Sequence, residues 1–142
     1  MLVTTPQTSG ARRSLDRGFT MIELAIVMSV IVILAAMGMA QYRNAHIRAQ
    51  EAVLKEDLFQ LRDAIDQFYA DKTKYPTTLD ELVSEGYIRK LPQDPFTKSS
   101  DTWQTIPAEP DPNNPTAEPG IYDVKSGSEA TALDGSKYSD WD

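Results

Sequence analysis

Residues 19–40 read FTMIELAIVMSVIVILAAMGMA and carry one charged side chain, Glu23; past it, only Ser29 is polar as far as Ala40. At about 22 residues, the run exceeds the roughly 20 that a helix needs to cross a bilayer core. Ile and Val dominate it, and both are mediocre helix formers in water. In lipid they form a helix anyway, because every backbone polar group must be satisfied inside the segment. Beyond the run the pattern becomes periodic. Ile47, Leu54, Leu58, Leu61, Ile65 and Phe68 follow steps of seven, four, three, four and three, which is one apolar stripe on a 3.6-residue helix. Charged residues fill the gaps: Arg48, Glu51, Lys55, Glu56, Asp57, Arg62, Asp63 and Asp66. No proline interrupts residues 19–74, so the pattern predicts a single helix of about 50 residues, apolar all round and then amphipathic. Gly38 marks a place for a local bend.

The stripe needs a cover, and residues 75–142 must supply it. Pro76 ends what precedes. Thr78 and Glu81 form a capping-box pattern, Leu79, Leu82 and Val83 give an apolar face, and Gly86 suits the stop, so a short helix is predicted from about Leu79 to Glu85. RKLPQDPF follows as an extended loop whose Leu91 and Phe96 pack down on the long helix. Trp103 and Ile106 predict one short strand. GIYDVKSG predicts another, with Ile121 and either Val124 or Tyr122 inward. Residues 107–120, rich in proline and poor in apolar side chains, predict an exposed loop. Tyr138 and Trp141 are expected to tie the polar tail to the core. The fold class that follows is α+β: a long N-terminal helix packed against a small domain with a short helix and two or three short antiparallel strands.

Charge narrows the class of partner. The formal charge is −7. Taking Arg12, Arg13, Arg17 and Asp16 of the first eighteen residues from 14 Lys+Arg and 21 Asp+Glu leaves 11 against 20, a balance of −9. An acidic body is unsuited to nucleic acid, which needs a basic face to displace counterions. It is equally unsuited to broad binding of anionic lipid. The arginines precede the span, so the positive-inside rule places the N-terminus in the cytoplasm and the rest outside, although Arg43 and Arg48 lie on the far side. A removed signal peptide is the rival reading, but its apolar stretch would be about 7–15 residues followed by a small-residue cleavage site.

RGFTMIEL carries the first chemistry. It resembles the processing site of class III signal sequences, those of type IV pilins and type II secretion pseudopilins. The resemblance implies a leader of residues 1–18, cut after Gly18 by a prepilin peptidase, with Phe19 as the new, N-methylated terminus. It implies residues 19–40 as the transmembrane and assembly helix, and residues 41–142 as a periplasmic domain. Glu23 is then the fifth residue of the mature chain. An ionised carboxylate in lipid costs several kcal/mol and marks function by default, and a buried charge is tolerated only when paired. The resemblance pairs Glu23 with the N-terminal amine of a neighbouring subunit. A glutamate snorkelling from a simple anchor is the plain alternative.

The remainder of the chain, over residues 13–106 and 120–142, resembles the major pseudopilin of type II secretion systems. Type IV pilins commonly close their C-terminal region with a disulfide, and this chain has no cysteine. The proline-rich stretch is not part of the resemblance. Major pseudopilins typically bind calcium in the last loop. Counted back from Trp141, Ser126 takes the position of a carbonyl ligand, Glu129 and Asp134 those of an aspartate and a serine. Two adjacent aspartates fall on Ser136 and Lys137. Calcium takes six to eight oxygens, and a lysine puts positive charge among them. Lys137 is therefore expected to replace the ion, pairing with Glu129 or Asp134 to pin the loop. Calcium held by Asp134, Glu129 and Asp140 in a shifted register stays open.

No catalytic constellation is present. One histidine, His46, and no cysteine remove most triads and dyads, and there is no phosphate loop or zinc signature. His46 reads as an ordinary surface residue. The resemblance implies a structural subunit of a helical filament that helps export folded proteins. Its implied partners are further copies, prepilin peptidase, an inner-membrane assembly platform, minor pseudopilins and lipid. A type IV pilin for adhesion or motility, and a membrane-anchored periplasmic enzyme or binding protein, are the alternatives.

Overall fold

The computed structural model describes residues 1–4 and 18–142; Arg12, Arg13, Asp16 and Arg17 of the predicted leader lie outside them. The chain divides into two compact units, Met1–Met39 and Ala40–Asp142. One helix, α1 (Met21–Lys72), contributes to both.

In the first unit α1 begins two residues later than expected. Thr20 is the reason: its hydroxyl accepts the Glu23 N–H at 3.2 Å, and its carbonyl accepts the Leu24 N–H at 3.0 Å. That is the geometry of an N-capping threonine. From there to Met39 every residue is exposed. Ser29, the sole polar side chain after Glu23, donates its hydroxyl to the Ala25 carbonyl at 2.8 Å. The helix thus satisfies its own hydroxyl and presents no unpartnered donor to lipid.

In the second unit α1 buries Leu54, Leu58, Leu61, Ala64, Ile65 and Phe68. The stripe is the predicted one, with Ala64 added and Ile47 only half-buried. Leu82, Trp103, Ile121, Val124, Ala132 and Tyr138 cover it, and Leu91 and Phe96 pack at the edge of the same cluster. The short helix α2 (Leu79–Ser84) has Thr78 as its cap, accepting the Glu81 N–H at 3.3 Å. The capping box is displaced by one residue. The Glu81 carboxylate reaches the N–H of Thr77 at 2.8 Å rather than that of Thr78. At the other end Gly86 adopts φ +82°, and the N–H groups of Gly86 and Tyr87 reach the carbonyls of Val83 and Leu82 at 3.1 and 2.9 Å. This is a Schellman stop, which a side chain at position 86 would strain.

Strands β1 (Gln104–Pro107) and β2 (Ile121–Lys125) pair antiparallel. The register slips between Ile106, opposite Asp123, and Pro107, opposite Ile121. Tyr122 is the extra residue of a β-bulge. The bulge is why Ile121 and Val124, three apart, are both buried while Tyr122 is exposed. Trp103 lies just before β1, buried, its indole N–H donating to the Pro92 carbonyl at 2.9 Å. Between the strands, residues 109–119 are exposed, and a neck closes the loop where the Ala108 N–H donates to the Gly120 carbonyl at 2.7 Å. A Cβ on Gly120 would come within 2.5 Å of the Tyr75 Cβ, so the neck requires glycine. The tail ends in a 3₁₀ turn, Tyr138–Asp140, with Tyr138 buried and Trp141 half-buried.

Candidate functional site

Two places carry the residues singled out by sequence. The first is the start of α1. Gly18, Phe19 and Thr20 precede the helix in an irregular, exposed stretch. A side chain at Gly18 would meet nothing within 4 Å, and Phe19 is 83% exposed. Both residues that flank the Gly18–Phe19 bond are thus exposed. Glu23 stands in the first turn of α1, exposed. The unpaired N–H groups there carry partial positive charge, which favours a carboxylate. Phe19 lies four residues ahead, one helical turn away in sequence.

The second place is the C-terminal loop against α1 of the same unit. Glu51 organises it: its carboxylate accepts the Leu133 N–H at 2.9 Å and the Tyr138 hydroxyl at 3.0 Å. Burial, then the hydrogen bond to Glu51 and its charge, push the Tyr138 phenol up to about 12. Phe96 stacks on Tyr138 with centroids 3.8 Å apart. Asp134 caps the turn. Its carboxylate accepts the Ser136 hydroxyl at 2.5 Å and N–H at 2.9 Å, which holds it below the ordinary aspartate range. The Ser136 hydroxyl in turn accepts the Trp141 indole N–H at 2.8 Å. Lys137 stands 3.7 Å from the Glu129 carboxylate, both side chains largely exposed. Such a pair contributes about 0–1 kcal/mol.

Of the positions counted back from Trp141, Asp134 and Ser136 are engaged with each other, Ser136 also with Trp141, and Lys137 stands beside Glu129. Among the described residues no group of three His, Cys, Asp or Glu side chains is placed to hold an ion.

Three anchors escaped the sequence reading, because each looked like a solvated charge or a loop residue. Glu51 is the first. Arg62 is the second: its fork donates to Asp123 at 2.7 Å, to the Val124 carbonyl at 3.0 Å and to the Trp141 carbonyl at 3.1 Å. Asp94 is the third, wholly buried. It accepts the Ser126 hydroxyl and the N–H groups of Phe96 and Thr97. Asp-Pro is a turn-initiating pair, and that signal in QDPF could have found it. Asp57, half-buried on α1, has its carboxyl pushed up to about 6 by burial, with the Asp94 and Glu56 carboxylates adding to the effect.

Residues 13–39 match the prokaryotic N-terminal methylation motif. The type II secretion system core protein G of Klebsiella michiganensis is 32% identical over 101 residues, covering 60% of this chain and 71% of the relative. That of Klebsiella pneumoniae is 33% identical over 97 residues, covering 57% and 69%. That of Pseudomonas aeruginosa is 32% identical over 101 residues, covering 60% and 71%. No solved structure matches.

Proposed function

The chain belongs to the type II secretion system core protein G family, and from that premise we propose that it is the repeating structural subunit of a secretion pseudopilus. Prepilin peptidase cuts between Gly18 and Phe19, and the Phe19 amine is methylated. The product waits in the bacterial inner membrane as a single-pass protein, N-terminus cytoplasmic and acidic domain periplasmic. An assembly platform and minor pseudopilins then draw it into a helical filament that helps move folded proteins outward. The role is structural rather than catalytic. The observation that carries this reading is Glu23, a carboxylate in the first turn of an otherwise apolar helix, one turn beyond the exposed Gly18 and Phe19.

The chemistry runs as follows. Cleavage creates a cationic amine on Phe19. When copies pack through their apolar helices, water leaves and an isolated carboxylate becomes costly. Glu23 of one copy regains a partner in the Phe19 amine of another, and the pair sets the axial step between them. Until that step is satisfied, sliding copies leave both charges bare. In the tail, Lys137 takes the ion's place by pairing with Glu129.

N-terminal sequencing and intact mass of the protein from membranes test the reading. N-methylated Phe19 is the expected start. A chain still beginning at Met1 has no free amine at Phe19 and would overturn it.

A further inference from the structure

Tyr69 of α1 stacks on Tyr75 with centroids 4.4 Å apart, and Tyr122 at the bulge meets Tyr75 edge-on at 5.7 Å. Tyr69 and Tyr122 remain 43% and 57% exposed. The loop of residues 108–120 stands over them and brings Glu109, Asp111 and Glu118 with no basic residue. Between ring and loop lie two hollows, of about 500 and 470 Å³. Lys74 lines the second, so the loop carboxylates outnumber the cation there. Elsewhere on α1, Arg43, His46 and Arg48 are exposed in a stretch without acidic residues. Among the described residues neither arginine forms a salt bridge.

We propose that this acidic tyrosine cleft receives Arg43 and Arg48 of a second copy of the chain, displaced along the filament axis. The inference rests on the filament reading above. Guanidinium groups stack on tyrosine faces while carboxylates take their N–H fork. With residues 1–18 removed the chain has a balance of −9, so copies brought together repel one another. The contact sets the helix's unpaired arginines against the loop's carboxylates. Helices that pack in parallel make the displacement calculable. Tyr69 lies 21 to 26 residues beyond Arg48 and Arg43, so the two copies are offset by about 32–39 Å at 1.5 Å per residue. Arg89 and Lys90, also exposed, are the rival cations within a second copy, and anionic lipid headgroups are the rival partner for Arg43 and Arg48.

The chain has no cysteine, so paired cysteines report the contact without background. Arg–Asp contacts hold Cα atoms farther apart than a disulfide tolerates, so a short bis-maleimide is the reagent. Full-length Arg48→Cys/Asp111→Cys, expressed with its secretion system, is expected to give a ladder of covalent multimers from sheared filaments. Each single variant and Arg89→Cys/Asp111→Cys should give none. Filaments that form without the first ladder, or with the Arg89 ladder instead, overturn the contact and leave the filament reading standing. Absence of filaments from the wild-type chain overturns both. A charge swap adds a second arm. Arg43→Glu/Arg48→Glu should lower filament yield severalfold, and Glu109→Lys/Asp111→Lys/Glu118→Lys in the same chain should restore it. Loss without restoration points to lipid headgroups and overturns the proposal.

Discussion

The two halves of α1 obey one backbone geometry and two solvents. Up to Met39 every side chain is exposed and nearly all are apolar. From Ala40 onward the same helix buries one stripe and keeps most of its charges exposed, with Glu51, Asp57 and Arg62 half-buried. In the second half packing explains the buried stripe, while Val53 and Phe59 stay exposed. In the first half nothing among the described residues covers the apolar side chains, and a water-soluble monomer rarely exposes a contiguous apolar surface of this kind. Apolar exposure of this kind suits lipid, and the proposed filament would add neighbouring helices. The same contrast sorts the two kinds of glutamate. Glu51 meets its partners within its own unit. Glu23 has no side-chain partner among the described residues, and the proposed filament supplies one in the Phe19 amine of another copy.

The comparison can be broken at its most consequential point by Glu23→Ala. Filaments should be lost, while membrane insertion persists, since removing a charge eases insertion; shearing and membrane fractionation read the two separately. The opposite half breaks through its core. Leu61, 0% exposed, changed to Ala should cost about 2–5 kcal/mol in chemical denaturation of the folded domain, whereas Leu34→Ala in the exposed half should leave that transition unchanged.

Asp57 sharpens the picture. Its raised carboxyl, near 6 against 3.8, means that the folded state binds the proton more tightly than the unfolded state. Stability from this group is therefore greatest below about pH 4 and declines as pH rises through 6. Asp57→Asn should stabilise the domain by about 1 kcal/mol at pH 7, after discounting for solvent screening, and by nothing below pH 4. Thermal melts across pH 4–8 measure it. The smallest effect belongs to the tail. Lys137→Ala should cost less than about 1 kcal/mol, and millimolar calcium should not raise the melting temperature of the wild-type chain.

Much of the architecture could be read from periodicity. The stripe from Leu54 to Phe68, the short helix with its glycine stop and the anchoring of Tyr138 all follow from patterns within one element. What stayed hidden depends on two elements meeting. The inward set of β2 could not be chosen between Val124 and Tyr122, because the bulge comes from pairing with Pro107. Glu51 and Arg62 sit on the flanks of the stripe, where a charge is ordinarily solvated. Only the tail, folding back over α1, turns them into anchors. Gly18, Phe19 and Glu23 lie in one contiguous motif, RGFTMIEL, which was singled out by its resemblance to class III signal sequences and falls within the matched residues 13–39.

The closed neck between Ala108 and Gly120 has a consequence for how this surface can change. Because a backbone bond seals the loop at its base, alterations at its tip are insulated from the core. Lengthening such a loop is thermodynamically mild, about 0.6 kcal/mol for each doubling. The stretch between β1 and β2 is thus where evolution, or an engineer, can rewrite what the molecule displays while the folding code beneath it stays intact.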